Sequence, residues 1–401
     1  MRIMHISTRL ILGGSQENTV LSAEGQAGRG HQVALVYGPI YGPEGSLLQR
    51  AQAHGGIETL QSPHLVRRIA PVTDLRCYLS IRRLIRGWKP DVVHTHSSKA
   101  GILGRLAAWN EGVRCVVHTI HGLPFHPYQS RLRNRLSILA ERIAARRCHR
   151  IVAVADAMST QALAAGIGEP DQFVTVYSGM EVDQFIKPRW SRAEARAEIG
   201  VTADDFVLGT ISRLAALKGH DDLLDAVSPL MRSRPNLKLL WVGDGWWRKR
   251  LLKRVETLGL TGRVIHTGLV PPQEIPKYMQ AMDALAHPSY REGLPRAVPQ
   301  ALLSGVPVVV YDVDGAAEVV TDGRVGRLIR PGDLAMLREA VEWMMDHATQ
   351  RLAMGHHGRE QCRQQFAAER MVQRLEEVYA SVLGPGGDAD TGDGPGSRPA
   401  R

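Results

Sequence analysis

The feature that most constrains this chain is a rhythm of short apolar runs and amphipathic segments, and the rhythm occurs twice. In the first half the runs are RIMHIST, QVALVYG, DVVHTHS, RCVVHTIHG and RIVAVAD. Short runs rich in β-branched residues, separated by helical patterns, predict parallel strands covered on both faces. Segments over Leu75–Trp88 and Lys99–Trp109 supply covering helices. A second series, FVLGTIS, LKLLWVG, RVIHTG, ALAHPS and VPVVVYD, begins at Phe206, with helices over Asp221–Met231 and Arg248–Leu258. The expected fold is therefore α/β, with two tandem Rossmann-like, doubly wound domains. Their strand carboxyl edges face one central cleft, which is where such sheets bind ligands. Residues 1–184 form the first domain and 185–368 the second. A helix over 369–383 packs back towards the first domain. Residues 384–401, rich in Gly, Pro and Asp, have almost nothing to bury and are expected to be disordered.

Charge narrows the function. The 401 residues carry 50 Lys+Arg against 40 Asp+Glu, a net +10. Through Ile186 there are 21 basic and 13 acidic residues, so most of the excess lies in the first half. A basic half can meet nucleic acid, anionic lipid or phosphorylated substrates. Seven arginines between Arg131 and Arg150 flank Leu132, Leu136, Leu139 and Ile143 at helical spacing. Such a helix either lies on an anionic membrane or packs its Leu stripe into the sheet. Cys77, Cys115, Cys148 and Cys362 form no C-x-x-C pair, so neither a disulfide framework nor a zinc site is expected. The N-terminus lacks the apolar core of a signal peptide, and no run approaches the ~20 apolar residues of a membrane span. These features predict a cytoplasmic chain, soluble or peripheral at the membrane.

The polar residues at strand ends carry the chemistry. Gly13-Gly14 follow the first strand and precede a helix, as a tight turn or as a loop that lets a phosphate approach a helix start. No G-x-G-x-x-G fingerprint occurs there, against a nicotinamide enzyme. His118, His121 and His126 lie at and after one strand end, and His94 and His96 end the preceding strand. Each is either a hydrogen-bonded strand-end histidine or a cleft residue, and His121, beside Gly122, favours the cleft. Arg213 and Lys218 follow the first strand of the second series. They suit a diphosphate, Arg as a bidentate donor and Lys as a point charge, or form a solvated pair. The VGDG turn, with Gly243 and Asp244, lines the same cleft. Trp246-Trp247 either stack on a base or pack a helix face. Glu292 precedes a Gly293-Leu294-Pro295 turn that opens a short helix, beside Ser289. A carboxylate accepts from hydroxyls, while cations and helix N–H groups hold anions. A sugar nucleotide carries hydroxyls and diphosphate together.

The GG pair, R-x4-K-G, GDG and EGLPRAVPQALLSGVPVV resemble the family 4 retaining glycosyltransferases of the GT-B fold, over roughly residues 1 to 383. HTHSSKAGILGR and HTIHGLPFH resemble the branch that extends lipid-linked surface-polysaccharide precursors. The resemblance implies a UDP- or GDP-sugar donor, a glycan or polyprenyl-diphosphate-linked acceptor, no nucleic acid, and transfer without a metal or other cofactor. It implies that Arg213 and Lys218 hold the donor diphosphate and that Glu292 contacts sugar hydroxyls. Gly293 and Leu294 then lie against sugar and phosphates, Gly13 and Gly14 against phosphate and acceptor, and His121, or less well His118, beside the sugar. One position departs: the family's second Glu, which binds the ribose, is Gln300 here, and its amide can accept the bond without the charge. The hinge Asn-Gly-Val-Asp is here SGMEVD, Ser178–Asp183. Rival readings are a sugar-nucleotide 2-epimerase of the same fold, a non-catalytic homologue that binds a sugar nucleotide as a regulator or partner, favoured by Gln300, and a nucleic-acid-binding protein favoured by charge alone.

Overall fold

The computed structural model describes residues 1–41 and 45–384. The tail expected from Gly384 onward lies, apart from Gly384 itself, outside the described residues. The first domain is a seven-stranded parallel sheet of β1 (Arg2–Ser7), β2 (Gln32–Tyr37), β3 (Ile57–Gln61), β4 (Val92–His96), β5 (Cys115–Ile120), β6 (Arg150–Ala153) and β7 (Phe173–Thr175), in the order β3-β2-β1-β4-β5-β6-β7. The second is a six-stranded sheet of β8 (Phe206–Ile211), β9 (Leu237–Val242), β10 (Val264–His266), β11 (Ala284–His287), β12 (Val308–Tyr311) and β13 (Gly326–Ile329), in the order β10-β9-β8-β11-β12-β13. Every strand pair is parallel, and each order reverses once, at β1/β4 and at β8/β11. Those reversals open crevices at the carboxyl edges, and both face the same cleft.

The central strands are buried along their whole length, as continuous apolar runs demand of a two-sided sheet. One apolar cluster crosses the domain boundary, joining Ile120, Leu123 and Met158 to Leu294, Val298 and Ala316. The chain also crosses back. Met180 pairs with Ala367, and the helix Ala368–Leu383 then lays Val372, Leu375 and Tyr379 against Leu21 and Val117 of the first domain.

Some elements depart from the pattern read in sequence. The edge strands β3, β7 and β13 are short and half-exposed, so no apolar run announces them. The helix after Glu292 spans Ala297–Leu303; Pro295 sits in the turn before it, accepting from the Val298 N–H at 2.9 Å. The helix Ala348–Gln365 escaped because its buried face is Met354, Gly355, Gly358 and Cys362, small residues that let it approach Gly305 and Leu302 closely. Of the two readings left open for the helix Arg131–Ala145, packing of its Leu stripe into the sheet does not hold. The helix buries Glu141, Ala144 and Ala145, and it leaves the Leu stripe outside.

Candidate functional site

The cleft between the domains encloses about 1030 Å³. This is at the upper end of the roughly 300–1,000 Å³ typical of small-molecule sites. Its first-domain wall carries Gly13, Gly14, His121 and Gly122; its second-domain wall carries Arg213, Lys218, Asp244, Glu292, Gly293 and Gln300.

At the centre of the second wall, Glu292 Oε1 accepts from Lys218 Nζ at 2.5 Å and from His287 Nε2 at 2.9 Å. Burial alone would raise the Glu292 carboxyl, but Lys218 and His287 outweigh it and hold it well below the ordinary range. An ionised carboxylate only accepts, so His287 carries its proton on Nε2. The Glu292 N–H donates to Asp314 Oδ2 at 2.7 Å, fixing the turn.

The loops that carry these groups are strained. Among the described residues, four non-glycine residues have φ above zero, and three of them border this site: Ser97 (φ 63°), Leu217 (φ 65°) and Asp314 (φ 51°). Such conformations cost about 1–3 kcal/mol each and persist where surrounding structure imposes them. The Leu217 carbonyl accepts from the Tyr290 N–H at 2.9 Å and from Ser289 Oγ at 3.1 Å, which aims Lys218 at Glu292.

The walls meet closely. A Cβ on Gly293 would overlap the His121 carbonyl, and one on Gly14 would lie 2.6 Å from Arg296 Cδ. Arg296 reaches across to the first domain, donating to the Gly179 carbonyl at 2.9 Å with its other terminal nitrogen 3.1 Å from Glu17. Glu318 likewise accepts from the Asp156 and Ala157 N–H groups at 2.8 and 2.9 Å, capping a first-domain helix from the second domain. The N-terminus of the helix Gly14–Gly28 has no side-chain cap, so its N–H groups remain available at the cleft.

Comparison with known proteins decides the family. A family model described as "Glycosyl transferase 4-like domain" matches residues 13–179, and one described as "Glycosyl transferases group 1" matches 191–361. The 2-deoxystreptamine glucosyltransferase of Streptomyces kanamyceticus is 31% identical over 319 residues, 75% of this chain and 80% of that protein. The chain belongs to the group 1 glycosyltransferases. The UDP-Gal:alpha-D-GlcNAc-diphosphoundecaprenol alpha-1,3-galactosyltransferase of Escherichia coli is 26% identical over 325 residues, 80% of this glycosyltransferase and 83% of that one. The crystal structure of Anabaena HepE with UDP and glucose superposes with a TM-score of 0.82 at 23% identity, over 95% of this chain and 100% of that one. It shares the GT-B fold.

Within this glycosyltransferase the residues singled out from sequence divide. Arg213, Lys218, Glu292, Gly293, Leu294, Gln300, Gly13, Gly14, Gly243, Asp244 and His121 all line the cleft. His118 borders it but is 3% exposed and bonded to Thr95 Oγ1 at 2.9 Å. Ser289 is outside the lining: it is 1% exposed and spends its hydroxyl on the Leu217 and Arg291 carbonyls. His126 lines a neighbouring pocket with Tyr128 and Arg291, while His94 and His96 turn into the first domain's core. The tryptophans separate: Trp246 stands at the cleft with Arg213 over its ring at 5.5 Å, and Trp247 packs on the second domain's core. Sequence reading passed over His287, Asp314 and the Glu17–Arg296 contact. Only His287 carried a signal, as a polar residue ending a buried strand.

Proposed function

We propose that this glycosyltransferase moves a sugar, with retention of anomeric configuration, from a nucleoside diphosphate donor to a hydroxyl of a lipid-linked saccharide. The carrying observation is the convergence of Lys218, Glu292 and Arg213 opposite Gly13 and Gly14 in one cleft. Arg213 and Lys218, with the N–H groups at the start of the helix Gly14–Gly28, are suited to the diphosphate. Glu292 is suited to sugar hydroxyls. In the step, the bond from the anomeric carbon to the β-phosphate oxygen breaks and that to the acceptor oxygen forms on the same face. The acceptor proton passes to the departing phosphate. Fixed cations and N–H groups stabilise the charge that develops there, the role a metal ion fills elsewhere, so we propose transfer without a metal. The donor base is proposed as uracil first and guanine second, since HepE was solved with UDP. Calorimetry with UDP, GDP and ADP tests this, followed by transfer assays on the base that binds. Binding of one nucleotide, lost in Lys218→Ala, supports the donor site; binding of none overturns it, and binding without transfer favours a non-catalytic sugar-nucleotide-binding homologue, for which Gln300 is the specific observation.

We propose further that the enzyme works at the cytoplasmic face of the inner membrane, on an acceptor carried by a polyprenyl diphosphate. Among the described residues no helix is long and apolar enough to cross a membrane. Leu132, Leu136, Leu139 and Ile143 are 69, 60, 55 and 46% exposed on one helix. On the helix Pro71–Trp88, Val72, Leu75 and Leu79 are exposed as well, with Ile69 just before it. Both helices flank the helix Ser98–Asn110. Two apolar stripes set among arginines match a surface of anionic lipid, where each stripe can enter the headgroup boundary.

A further inference from the structure

Behind His121 runs a file of buried polar groups that the transfer chemistry leaves unused. His121 Nε2 lies 3.1 Å from His96 Nδ1, His96 Nε2 lies 2.9 Å from His5 Nδ1, and His5 Nε2 lies 2.7 Å from Gln26 Oε1. His5 and Gln26 are fully buried and His96 is 1% exposed, so the protein alone supplies their partners. Burial lowers the proton affinity of all three rings, His5 to about 4 and His121 to about 3, and they are neutral at neutral pH.

A neutral imidazole has one ring proton. A ring with both nitrogens engaged therefore donates through one and accepts through the other, and the direction is the same along the whole file. Gln26 sets that direction. Its Oε1 only accepts, so His5 is protonated on Nε2 and accepts at Nδ1. His96 must then donate from Nε2 and accept at Nδ1, and His121 donates from Nε2. His121 Nδ1 is left bare, with no partner among the described residues. Turning the Gln26 amide by half a turn would reverse every step and put the proton on Nδ1.

A second branch holds the amide. Gln26 Nε2 donates to the Tyr379 hydroxyl at 3.2 Å, Tyr379 lies 2.6 Å from His94 Nδ1, and His94 Nε2 lies 2.6 Å from Thr119 Oγ1. The phenol is the stronger donor and the imidazole nitrogen the stronger acceptor of that pair. Tyr379 therefore donates to His94 and keeps its oxygen for the Gln26 amide. His5, His94 and His96 bring one nitrogen each within 4.8 Å of one another, as a metal would need. Each ring, however, already has both nitrogens hydrogen-bonded, so hydrogen bonding accounts for the cluster.

We propose that Gln26, acting through His5 and His96, is a positioning residue that sets the tautomer of His121, so that Nδ1 meets the donor sugar as a hydrogen-bond acceptor. This rests on the reading of His121 as a neighbour of the donor sugar. A bare nitrogen there favours a sugar that offers a hydroxyl over one that lacks it.

The test is nitrogen-15 NMR of histidine-labelled full-length protein at pH 8, with His121 assigned by its loss in His121→Gln. The expected wild-type spectrum shows the proton on Nε2 and a bare Nδ1. Gln26→Leu and Tyr379→Phe each release the amide constraint, and the His121 shifts should move to a mixture of tautomers. Affinity for UDP-glucose, read by calorimetry, should fall about tenfold in Gln26→Leu, the scale of one hydrogen bond. A wild-type proton on Nδ1, shifts unchanged in both variants, or stoichiometric zinc retained by the wild type but not by His5→Gln, overturns the file. The wild-type spectrum decides even where a variant fails to fold. Shifted tautomers with unchanged UDP-glucose affinity overturn the contact with the sugar while supporting the file. Absence of UDP-glucose binding in the wild type counts against the donor reading instead.

Discussion

Lys218 Nζ lies 2.5 Å from Glu292 Oε1, joining the loop after β8 to the loop after β11. The two side chains neutralise each other across the cleft wall, and the proposed donor site gives each a second partner. Lys218→Ala should therefore do two things: remove the proposed phosphate contact, and leave the carboxylate with His287 as its remaining side-chain hydrogen-bond partner. The second effect should cost roughly 1–3 kcal/mol of stability, the buried-pair figure reduced for partial exposure of Lys218. The double variant Lys218→Ala/Glu292→Gln should regain most of that stability without regaining nucleotide binding. Urea unfolding and calorimetry on the four proteins measure the two effects separately. Recovery of binding in the double variant would remove Lys218 from the phosphate site.

Gly293 touches the His121 carbonyl so closely that a methyl group has no room. Gly293→Ala should part the two walls of the cleft by about 1 Å while leaving each sheet intact. A misplacement of that size can cost about a hundredfold in turnover. Transfer kinetics alongside a thermal melt read the two consequences, and a fully active variant would show that the walls move apart during the reaction.

Gln300 lines the cleft, and its side chain has no hydrogen-bond partner among the described residues. Gln300→Glu supplies the charge that the resembling family carries at this place. If a ribose lies there, UDP affinity should rise several-fold, because a charged acceptor roughly doubles the strength of the bond. Unchanged affinity would mean the ribose lies elsewhere.

The histidine file gives the first domain a characteristic acid sensitivity. In the folded chain His5 is lowered to about 4 and His121 to about 3, whereas in the unfolded chain both titrate near 6.5. The unfolded state thus binds more protons as pH falls. Stability is fully present above about pH 6.5 and is lost progressively towards pH 4 and below. Melting temperature followed from pH 8 to 4.5 should fall steadily below 6.5, and His5→Gln should flatten the slope.

Much of this was legible in sequence because the physics is local. A strand buried on both faces must be an apolar run, so β1, β2, β4, β5 and β6 announce themselves, as do β8, β9, β11 and β12; the half-exposed edge strand β10 shows only as the short run RVIHTG. The residues just past those strands had to be the cleft, which is how Arg213, Lys218 and Glu292 emerged. What stayed hidden depends on long-range pairing. His287 becomes a partner of Glu292 only through the fold of its turn, and Tyr379 reaches His94 across 285 residues. His94 and His96 end a strand, as read, but whether a strand-end side chain faces the cleft or the core depends on which helix covers it. The Leu stripe of Arg131–Ala145 had the periodicity of a packed helix. Its inward face is instead fixed by the buried Arg105–Glu141 pair, 2.5 Å apart, which no periodicity reveals.

That outward stripe makes the membrane reading testable without touching the cleft. Replacing Leu132, Leu136, Leu139 and Ile143 by Ser removes mostly apolar area that the folded chain leaves in water, so stability should change by no more than about 2 kcal/mol in total. Binding to vesicles that contain phosphatidylglycerol should fall at least tenfold, because the burial of four aliphatic side chains at the interface is lost. Reversing charge at Arg131, Arg133 and Arg135 should weaken binding at low salt and matter less at high salt, as screening predicts. Transfer to a short-chain, water-soluble acceptor should survive both changes, while transfer to a long-chain polyprenyl acceptor in vesicles should fall. Equal loss on both acceptors would assign the stripe to folding or to the site itself, and undiminished vesicle binding would end the membrane reading.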